Sequence, residues 1–153
     1  MLEIQVIQIG KTKADFIKNA ENEYQKRLQG YLKLTTVTLK EKKDLPKSEI
    51  INKEAELILE SLPKNSFIIV LSEDGKIYDP IKFANLLTSS MQNYSKICFV
   101  IGGTYGISEK VKSSANLVLS FSRFTFTHEI IRMLLLEQIY RAFTIINNKK
   151  YHY

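Results

Sequence analysis

Short apolar runs alternate with helix-like patterns along the chain. Five of these runs predict β-strands, over residues 2–9, 32–39, 67–71, 97–101 and 117–121. The runs at 67–71 and 97–101 are apolar at every position, as is typical of central strands that are covered on both faces. Strands that alternate with helices through short connections predict an α/β fold with a mostly parallel sheet.

The segments between the strands carry apolar side chains at helical spacing. In the first helix these side chains recur every four residues, at Phe16, Ala20, Tyr24 and Leu28. We expect Thr12 to cap this helix and Gly30 to end it. The other helices are predicted to start at Ser48, after Asp79 and at the caps Ser108 and Thr127, and the last extends to about Asn147.

The composition is that of an ordinary globular protein, with 153 residues of which 44% are hydrophobic and 25% charged. We expect one domain over residues 1–153. The lone cysteine, Cys98, lies in an apolar run and is predicted to be a small buried side chain, which argues against an intrachain disulfide or a cysteine-built zinc site. Signal-peptide and membrane-helix patterns are lacking, which favours a cytoplasmic protein.

Basic residues are concentrated toward the two ends of the chain. The formal net charge is +6, and residues 1–50 hold ten basic and seven acidic groups, whereas residues 101–153 hold seven and three. An excess of this kind suits a polyanionic partner such as nucleic acid, although lysine-rich surfaces also serve solubility alone.

Three glycines, Gly102, Gly103 and Gly106, follow closely on the apolar run 97–101. Glycine lets the backbone turn sharply or approach a ligand closely, and ligands of open parallel sheets lie beyond the carboxyl ends of the strands. The spacing is neither the dinucleotide-binding fingerprint nor a P-loop. These residues alone are compatible with a ligand-binding turn and with a purely structural strand-to-helix turn.

The segment Phe121-Ser-Arg-Phe-Thr-Phe126 places three phenylalanines in one connection. It leads into His128 and Arg132, which share a face at the start of the last helix, where they would suit an anion. Two structural interpretations compete, in which His128 caps the helix and Arg132 pairs with Glu129. No metal-ligand spacing or nucleophile elbow is present.

The last predicted helix is apolar nearly all round. Its apolar side chains are Leu134, Leu135, Leu136, Ile139, Ala142, Phe143, Ile145 and Ile146. Such a helix is buried on more than one side, and in so small a chain this predicts a subunit interface. Glu137 and Arg141 are spaced for an ordinary ion pair along the helix, although a second subunit could also reach Arg141.

Five motifs in the second half of the chain are specific when taken together. They are Phe-Val-Ile-Gly-Gly-x-x-Gly at 99–106, Leu-Ser-Phe-Ser at 119–122, Thr-Phe-x-His-x-x-x-Arg at 125–132, Glu-Gln-x-Tyr-Arg-Ala-Phe at 137–143 and Tyr-His at 151–152. With Gly-Lys at 10–11 and Glu-Tyr-x-Lys-Arg-Leu at 23–28, the whole chain resembles the ribosomal RNA large subunit methyltransferase H family. These SPOUT-class enzymes methylate N3 of a pseudouridine in 23S rRNA. Thr127 departs from the family pattern, in which proline is frequent, and the chain ends without a further basic residue after Tyr153.

The resemblance implies a SPOUT-type α/β knot, with helices on both faces of the sheet and a C-terminal trefoil knot that general topology rules argue against. It implies S-adenosylmethionine as methyl donor and no metal. The implied cofactor-binding residues are Leu71, Gly102, Gly103, Phe121, Ser122, Arg123, Phe124, Thr125 and Phe126. It also implies a homodimer whose active sites are completed near the interface, and action on the assembled 70S ribosome.

The implied reaction is an in-line attack of N3 on the methyl carbon, in which positioning dominates and a base or an anion stabiliser helps. The catalytic candidates are His128, Arg132, Tyr151 and His152: His128 as base, Arg132 as stabiliser of the anion or holder of a phosphate, and the Tyr151–His152 pair as an equal competitor. Two alternatives are a non-catalytic RNA-binding or ribosome-assembly module, and a SPOUT methyltransferase acting on tRNA.

The tail, residues 147–153, contains two lysines followed by three aromatic rings. This composition suits phosphate attraction and base stacking, and it equally fits a frayed chain end. The resemblance at Tyr151 and His152 favours a functional tail.

Overall fold

A five-stranded parallel sheet forms the centre of the protein, whose computed structural model describes residues 1–153. The strands are β1 (Glu3–Ile9), β2 (Lys33–Leu39), β3 (Ser66–Ile77), β4 (Lys96–Val100) and β5 (Leu117–Ser120). The helices are α1 (Asp15–Leu28), α2 (Lys47–Ser61), α3 (Pro80–Met91), α4 (Glu109–Ser113) and α5 (His128–Ile146). The strand order is β2-β1-β4-β3-β5 and each adjacent pair is parallel, so the carboxyl ends of all strands meet at one edge.

Alternate residues of each central strand serve opposite faces of the sheet. In β4, Ile97 and Phe99 belong to the core that includes residues of α1, α3 and α5, whereas Cys98 and Val100 belong to the core that includes residues of α2 and α4. This arrangement confirms the predicted α/β fold with helices on both faces. Cys98 is buried, as predicted, and burial raises the pKa of its thiol to about 12.

Four of the five strands differ from their predicted bounds by at most one residue at each end. The caps of three helices are also confirmed. Asp79 accepts a hydrogen bond from the Lys82 N–H at 2.8 Å, and Ser108 and Thr127 cap α4 and α5 in the same way. These elements follow from local sequence alone, because turn residues mark both ends of each one.

Strand β3 was predicted to end at Leu71 and instead continues to Ile77. Its pairing with β5 shifts register between Leu71 and Lys76. Gly75 allows the two strands to approach there, because a Cβ at this position would lie 2.7 Å from the carbonyl carbon and oxygen of Val118. The extension therefore depends on a tertiary contact, and the polar run 72–74 resembles a surface turn in sequence.

The predicted cap of α1 is wrong. Thr12 does not cap the helix, which has no side-chain cap at its own N-cap residue, Ala14. The carboxylate of Glu129, on α5, accepts hydrogen bonds from the N–H groups of Lys13 at 3.1 Å and Ala14 at 3.0 Å. The two N–H groups that lead into α1 are thus bound by a residue from the far end of the chain.

The apolar face and the C-terminal end of α1 also differ from expectation. Phe16 is 64% exposed, and the neighbouring Ile17 is fully buried in its place. The helix ends at Leu28, and Gln29 adopts a right-handed conformation, so Gly30 is not the cap.

The apolar surface of α5 is covered within one chain. Leu135, Ile139 and Phe143 are buried in the core that α5 shares with α1 and α3, and Leu134 is only partly exposed. The apolar sides of α5 were predicted to form a subunit interface. In the structure they are mostly covered by packing within the same chain. None of the helices combines the length and hydrophobicity that a membrane span requires.

Candidate functional site

A cleft of about 790 Å³ lies beyond the carboxyl ends of β4 and β5 and beside residues 71–74 of β3, a size within the usual range of ligand sites. It brings together eight of the nine predicted cofactor-binding residues, namely Leu71, Gly102, Gly103, Phe121, Ser122, Phe124, Thr125 and Phe126. Arg123 does not line the cleft, and its guanidinium donates to the Glu73 carbonyl. Three segments that are distant in sequence thus form one concave surface.

The glycine turn, residues 102–106, forms one wall of this cleft. It is closed by a hydrogen bond from the Gly106 N–H to the Gly103 carbonyl at 3.1 Å. On the far side of the turn, a Cβ at Gly103 would lie 2.8 Å from Oε1 of Glu54. A larger residue would be crowded here because the Glu54 carboxylate occupies the side-chain position, while the turn itself lines the cleft.

Glu54 is a buried carboxylate that sequence reasoning missed. It lies on α2 and is 4% exposed. Burial raises its pKa, the Glu41 carboxylate raises it further, and the backbone N–H of Lys42 opposes the shift. Its spacing was an available signal, because Glu54 is four residues from both Ile50 and Ile58 in the apolar stripe of α2.

Glu73 is a second residue that was missed, because β3 was predicted to end at Leu71. Its carboxylate accepts a hydrogen bond from the Thr125 hydroxyl at 2.6 Å, and its carbonyl accepts one from the Ser120 hydroxyl at 3.1 Å. With the Arg123 contact, these bonds tie the segment Phe121–Phe126 to the extension of β3. Glu73 therefore sets the shape of the wall opposite the glycine turn.

His128 is the first residue of α5 and lines the cleft. Thr127 provides the helix cap, so the alternative in which His128 caps the helix is wrong. Burial lowers the pKa of His128 below its ordinary value of about 6.5, and the positive charge of Arg132 lowers it further against the opposing effect of Glu129. The imidazole is consequently neutral at pH 7 and can accept a proton.

Arg132 is 2% exposed and points into the protein. Its guanidinium donates to the Ile9 carbonyl at 2.6 Å and to the Thr12 hydroxyl at 3.0 Å, while Nε has no partner. Glu129 instead binds the backbone at the start of α1, so the two residues do not form the simple ion pair that was one alternative. Arg132 fixes the segment 9–12 next to His128.

Tyr151 and His152 lie against the other end of α5. The Tyr151 ring packs edge-on against Tyr140 with centroids 4.8 Å apart, and Nδ1 of His152 is 3.1 Å from Nη1 of Arg141. Arg141 also donates from Nε to Glu137 at 3.0 Å, which confirms the predicted pair along the helix. The tail is therefore docked on its own chain.

The hydroxyl of Tyr151 acts as a donor. Burial raises its pKa to about 12, and the hydrogen bond with Tyr24 contributes to the shift. The hydroxyl donates to Glu137 Oε1 at 3.3 Å. At 1.5 Å rise per residue, Arg141 is about 20 Å along α5 from His128. One chain therefore holds the four catalytic candidates as two separate groups.

Comparison with known proteins identifies the class. The model of the family described as "Predicted SPOUT methyltransferase" matches residues 2–152. The chain therefore belongs to the SPOUT methyltransferase family. No group of three or more histidine, cysteine or acidic side chains is placed to hold a metal ion.

Similar full-length proteins narrow the assignment. Proteins named "Ribosomal RNA large subunit methyltransferase H" from Dictyoglomus thermophilum and Trichlorobacter lovleyi are 42% and 40% identical over 153 residues. The protein of that name from Pseudothermotoga lettingae is 44% identical over 155 residues. Each match covers 99% of this chain and 100% of the relative. The resemblance to the ribosomal RNA large subunit methyltransferase H group is thereby confirmed.

Proposed function

We propose that this protein, as a single domain of residues 1–153, is a methyltransferase of ribosomal RNA that uses S-adenosylmethionine. Its substrate is N3 of a pseudouridine in 23S rRNA, presented by the assembled 70S ribosome in the cytoplasm. The observation that carries the proposal is the cleft, which gathers eight residues that the family resemblance assigns to the cofactor. The names of the full-length relatives support the choice of ribosomal RNA.

The cleft fits S-adenosylmethionine by size and by chemistry. Leu71, Ile101 and Phe121 offer apolar surface to a purine ring, and Ser122 and Thr125 offer hydroxyls. The glycine turn presents backbone without side chains, which allows a ligand to approach closely. When bound, the cofactor supplies a methyl group on a positively charged sulfur.

The residues around the cleft then provide position, proton acceptance and anion stabilisation. His128 is neutral and accepts the N3 proton of pseudouridine as the methyl group is transferred. The positive N-terminal end of α5 stabilises negative charge that develops on the base. Arg132 acts as a positioning residue, because its donors hold the backbone and Thr12 rather than the substrate.

The homodimer is part of the same proposal. Within one chain Tyr151 and His152 lie at the opposite end of α5 from His128. A second copy that brings its tail to the first copy's cleft would combine both groups in one site. We include in the proposal the trefoil knot of the family fold, in which the C-terminal segment is threaded through a loop.

One experiment tests the proposal against its alternatives. The protein is incubated with tritiated S-adenosylmethionine and, separately, with free 23S rRNA, 50S subunits, 70S ribosomes and tRNA. We expect label in 23S rRNA from 70S ribosomes, at N3 of a pseudouridine by mass spectrometry of the digested RNA. Label confined to tRNA would identify a tRNA enzyme. Absence of label, together with no cofactor binding by calorimetry, would indicate a non-catalytic module.

A further inference from the structure

An exposed aromatic side chain lies at the start of α1. Phe16 is in the first turn of α1 and is 64% exposed, while Ile17 fills the core. A single exposed apolar residue is common on protein surfaces and means little alone. Two further features distinguish Phe16: the segment before it is bonded to α5, and its neighbours in sequence include three lysines.

The segment that leads into Phe16 is attached to the α5 end of the cleft. The Lys13 and Ala14 N–H groups bind Glu129, and the Thr12 hydroxyl binds Arg132. The charge of Lys13 is the smallest of the influences that act on the lowered pKa of His128, after burial, Arg132, Glu129 and Glu41. Residues 12–14 therefore lie against the first turns of α5, the helix that begins with His128.

The same segment carries an excess of positive charge. Residues 11–18 contain three lysines and one aspartate. The side chains of Lys13 and Lys18 are 66% and 51% exposed, and Lys11 is also exposed. Lys13 is 3.5 Å from Glu41 and Lys18 is 3.8 Å from Asp15, pairs that are weak at such exposed sites. The phosphates of an RNA chain can displace these carboxylates at little cost.

We propose that residues 11–18, here called the α1 edge, form an RNA-contacting surface on which Phe16 stacks with an unpaired base next to the methylated nucleotide. Lys11 and Lys13 contact the adjoining phosphates. This inference rests on the proposed function, because N3 of pseudouridine lies on the base-pairing edge and is reached only when the nucleotide is unpaired. Unpaired bases are recognised by stacking on aromatic side chains, with cations along the backbone.

Three substitutions of Phe16 separate stacking from apolar contact. Phe16→Ala removes the side chain, Phe16→Leu keeps an apolar side chain without a ring, and Phe16→Trp keeps a ring. We expect the KM for 70S ribosomes to rise at least about fivefold for the alanine and leucine variants and to stay within about twofold for the tryptophan variant. Wild-type behaviour of Phe16→Leu, or a wild-type KM for Phe16→Ala, would overturn the proposal.

The lysines are tested through salt dependence. Lys11→Ala and Lys13→Ala should each lower the slope of log KM against log salt concentration by roughly 0.7–1, which corresponds to the loss of one phosphate contact. Lys82→Ala, at an exposed position of α3, is the charge-matched control and should leave the slope unchanged. An equal change in the control would mean that net charge, and not the α1 edge, sets RNA affinity.

Further measurements separate a failure of this inference from a failure of the proposed function. Calorimetry with S-adenosylmethionine and light scattering should give the same cofactor affinity and the same mass for Phe16→Ala and wild type. A changed mass would instead assign Phe16 to self-association. If wild type methylates no RNA, the proposed function fails, and fluorescence anisotropy with labelled single-stranded RNA still tests the surface. Equal binding by wild type and Phe16→Ala would then overturn it as well.

Discussion

The two ends of α5 hold the polar candidates in different ways. At the N-terminal end, Arg132 is buried and bonded to Ile9 and Thr12, and His128 is half-buried at the cleft. At the C-terminal end, Tyr151 and His152 rest on side chains of the helix surface and are only partly covered. The first group is built into the core, and the second is docked on it.

This difference separates a preformed site from an exchangeable one. Moving Arg132 would leave the Ile9 carbonyl buried without a donor, which costs about 1–3 kcal/mol. Lifting the tail exposes one aromatic pair and a few partly solvated hydrogen bonds, each of which contributes about 0.5–1.5 kcal/mol. The tail can therefore change partners under conditions in which the N-terminal end of α5 stays fixed.

The largest effect is expected for His128→Ala. Removing a general base lowers kcat by roughly 10²–10⁴-fold, and cofactor affinity should change little. The measurement is single-turnover methyl transfer to 70S ribosomes, with Tyr151→Phe as a comparison that keeps the ring. Retention of the wild-type rate by His128→Ala would move the proton chemistry to the other end of α5.

The pH dependence of the wild-type methyl-transfer rate is a second test of His128 as the general base. Because the pKa of His128 is below its ordinary value, the rate should be flat above about pH 6.5 and should fall only at lower pH. The free energy of unfolding should also fall at low pH, since the unfolded chain binds the proton on His128 more readily than the native protein does. The contribution of His128 is full above about pH 6.5 and is lost as the pH falls through the folded pKa. His128→Ala should remove the fall in rate at low pH and the His128 contribution to the pH dependence of stability.

The free energies of unfolding of Arg132→Ala and Arg141→Ala compare the two ends of α5. Arg132→Ala leaves a cavity and an unpaired carbonyl, and we expect the free energy of unfolding to fall by about 3 kcal/mol. Arg141 forms a partly exposed pair with Glu137, so Arg141→Ala should cost less than about 1 kcal/mol. Urea denaturation measures both values. Equal losses would contradict the distinction between a built and a docked group.

Gly103→Ala tests the rigidity of the cleft wall. A Cβ there would meet Oε1 of Glu54 at 2.8 Å, and we expect a loss of about 2 kcal/mol. Glu54→Ala should relieve this clash in the double variant, whereas Gly30→Ala is a control at a glycine whose Cβ would meet nothing within 4 Å. Gly103→Val should also weaken cofactor binding, because a larger side chain against Glu54 displaces the turn that lines the cleft. Additive effects of Gly103→Ala and Glu54→Ala would show that the two positions do not interact.

Deleting residues 150–153 should have the smallest effect on the fold. Stability should fall by about 1 kcal/mol, from loss of the Tyr151–Tyr140 pair. Methyl transfer to ribosomes should fall at least about tenfold, or 1.4 kcal/mol, while cofactor binding and dimer mass are retained. A deletion variant that works at the full-length rate would exclude the tail from the active site.

Local patterns predicted the elements whose ends are marked by their own residues. The Asp79 cap and the apolar run of β4 needed no information from elsewhere in the chain. The extension of β3 could not be predicted in this way, because Gly75 matters only through the nearby backbone of Val118. Local propensity favours a turn there, and the tertiary contact overrides it.

The same distinction applies to the candidate site: segments of unusual local composition were predictable, and contacts between distant residues were not. The glycine turn and the Phe121–Phe126 segment were found because their composition is unusual for a connection. The partners of Thr12 and Glu129 lie 120 and 115 residues away in the chain, and both were first assigned to nearer neighbours. Which side chain reaches which backbone group depends on the packing of α5 against α1, and local spacing does not encode that.

The hydrogen bonds from Lys13 and Ala14 to Glu129 also constrain the order in which the protein is made. During synthesis α1 emerges early, but the N–H groups of Lys13 and Ala14 just before it meet their acceptor only after residue 129 has been added. β1 likewise waits for β4, with Glu3 paired to Lys96. A nascent chain that ends before β5 thus has an incomplete sheet, and one that ends before residue 129 also lacks the contact at the start of α1. Such chains fold slowly and aggregate readily. Folding of this protein is therefore a late event that follows release of α5 from the exit tunnel.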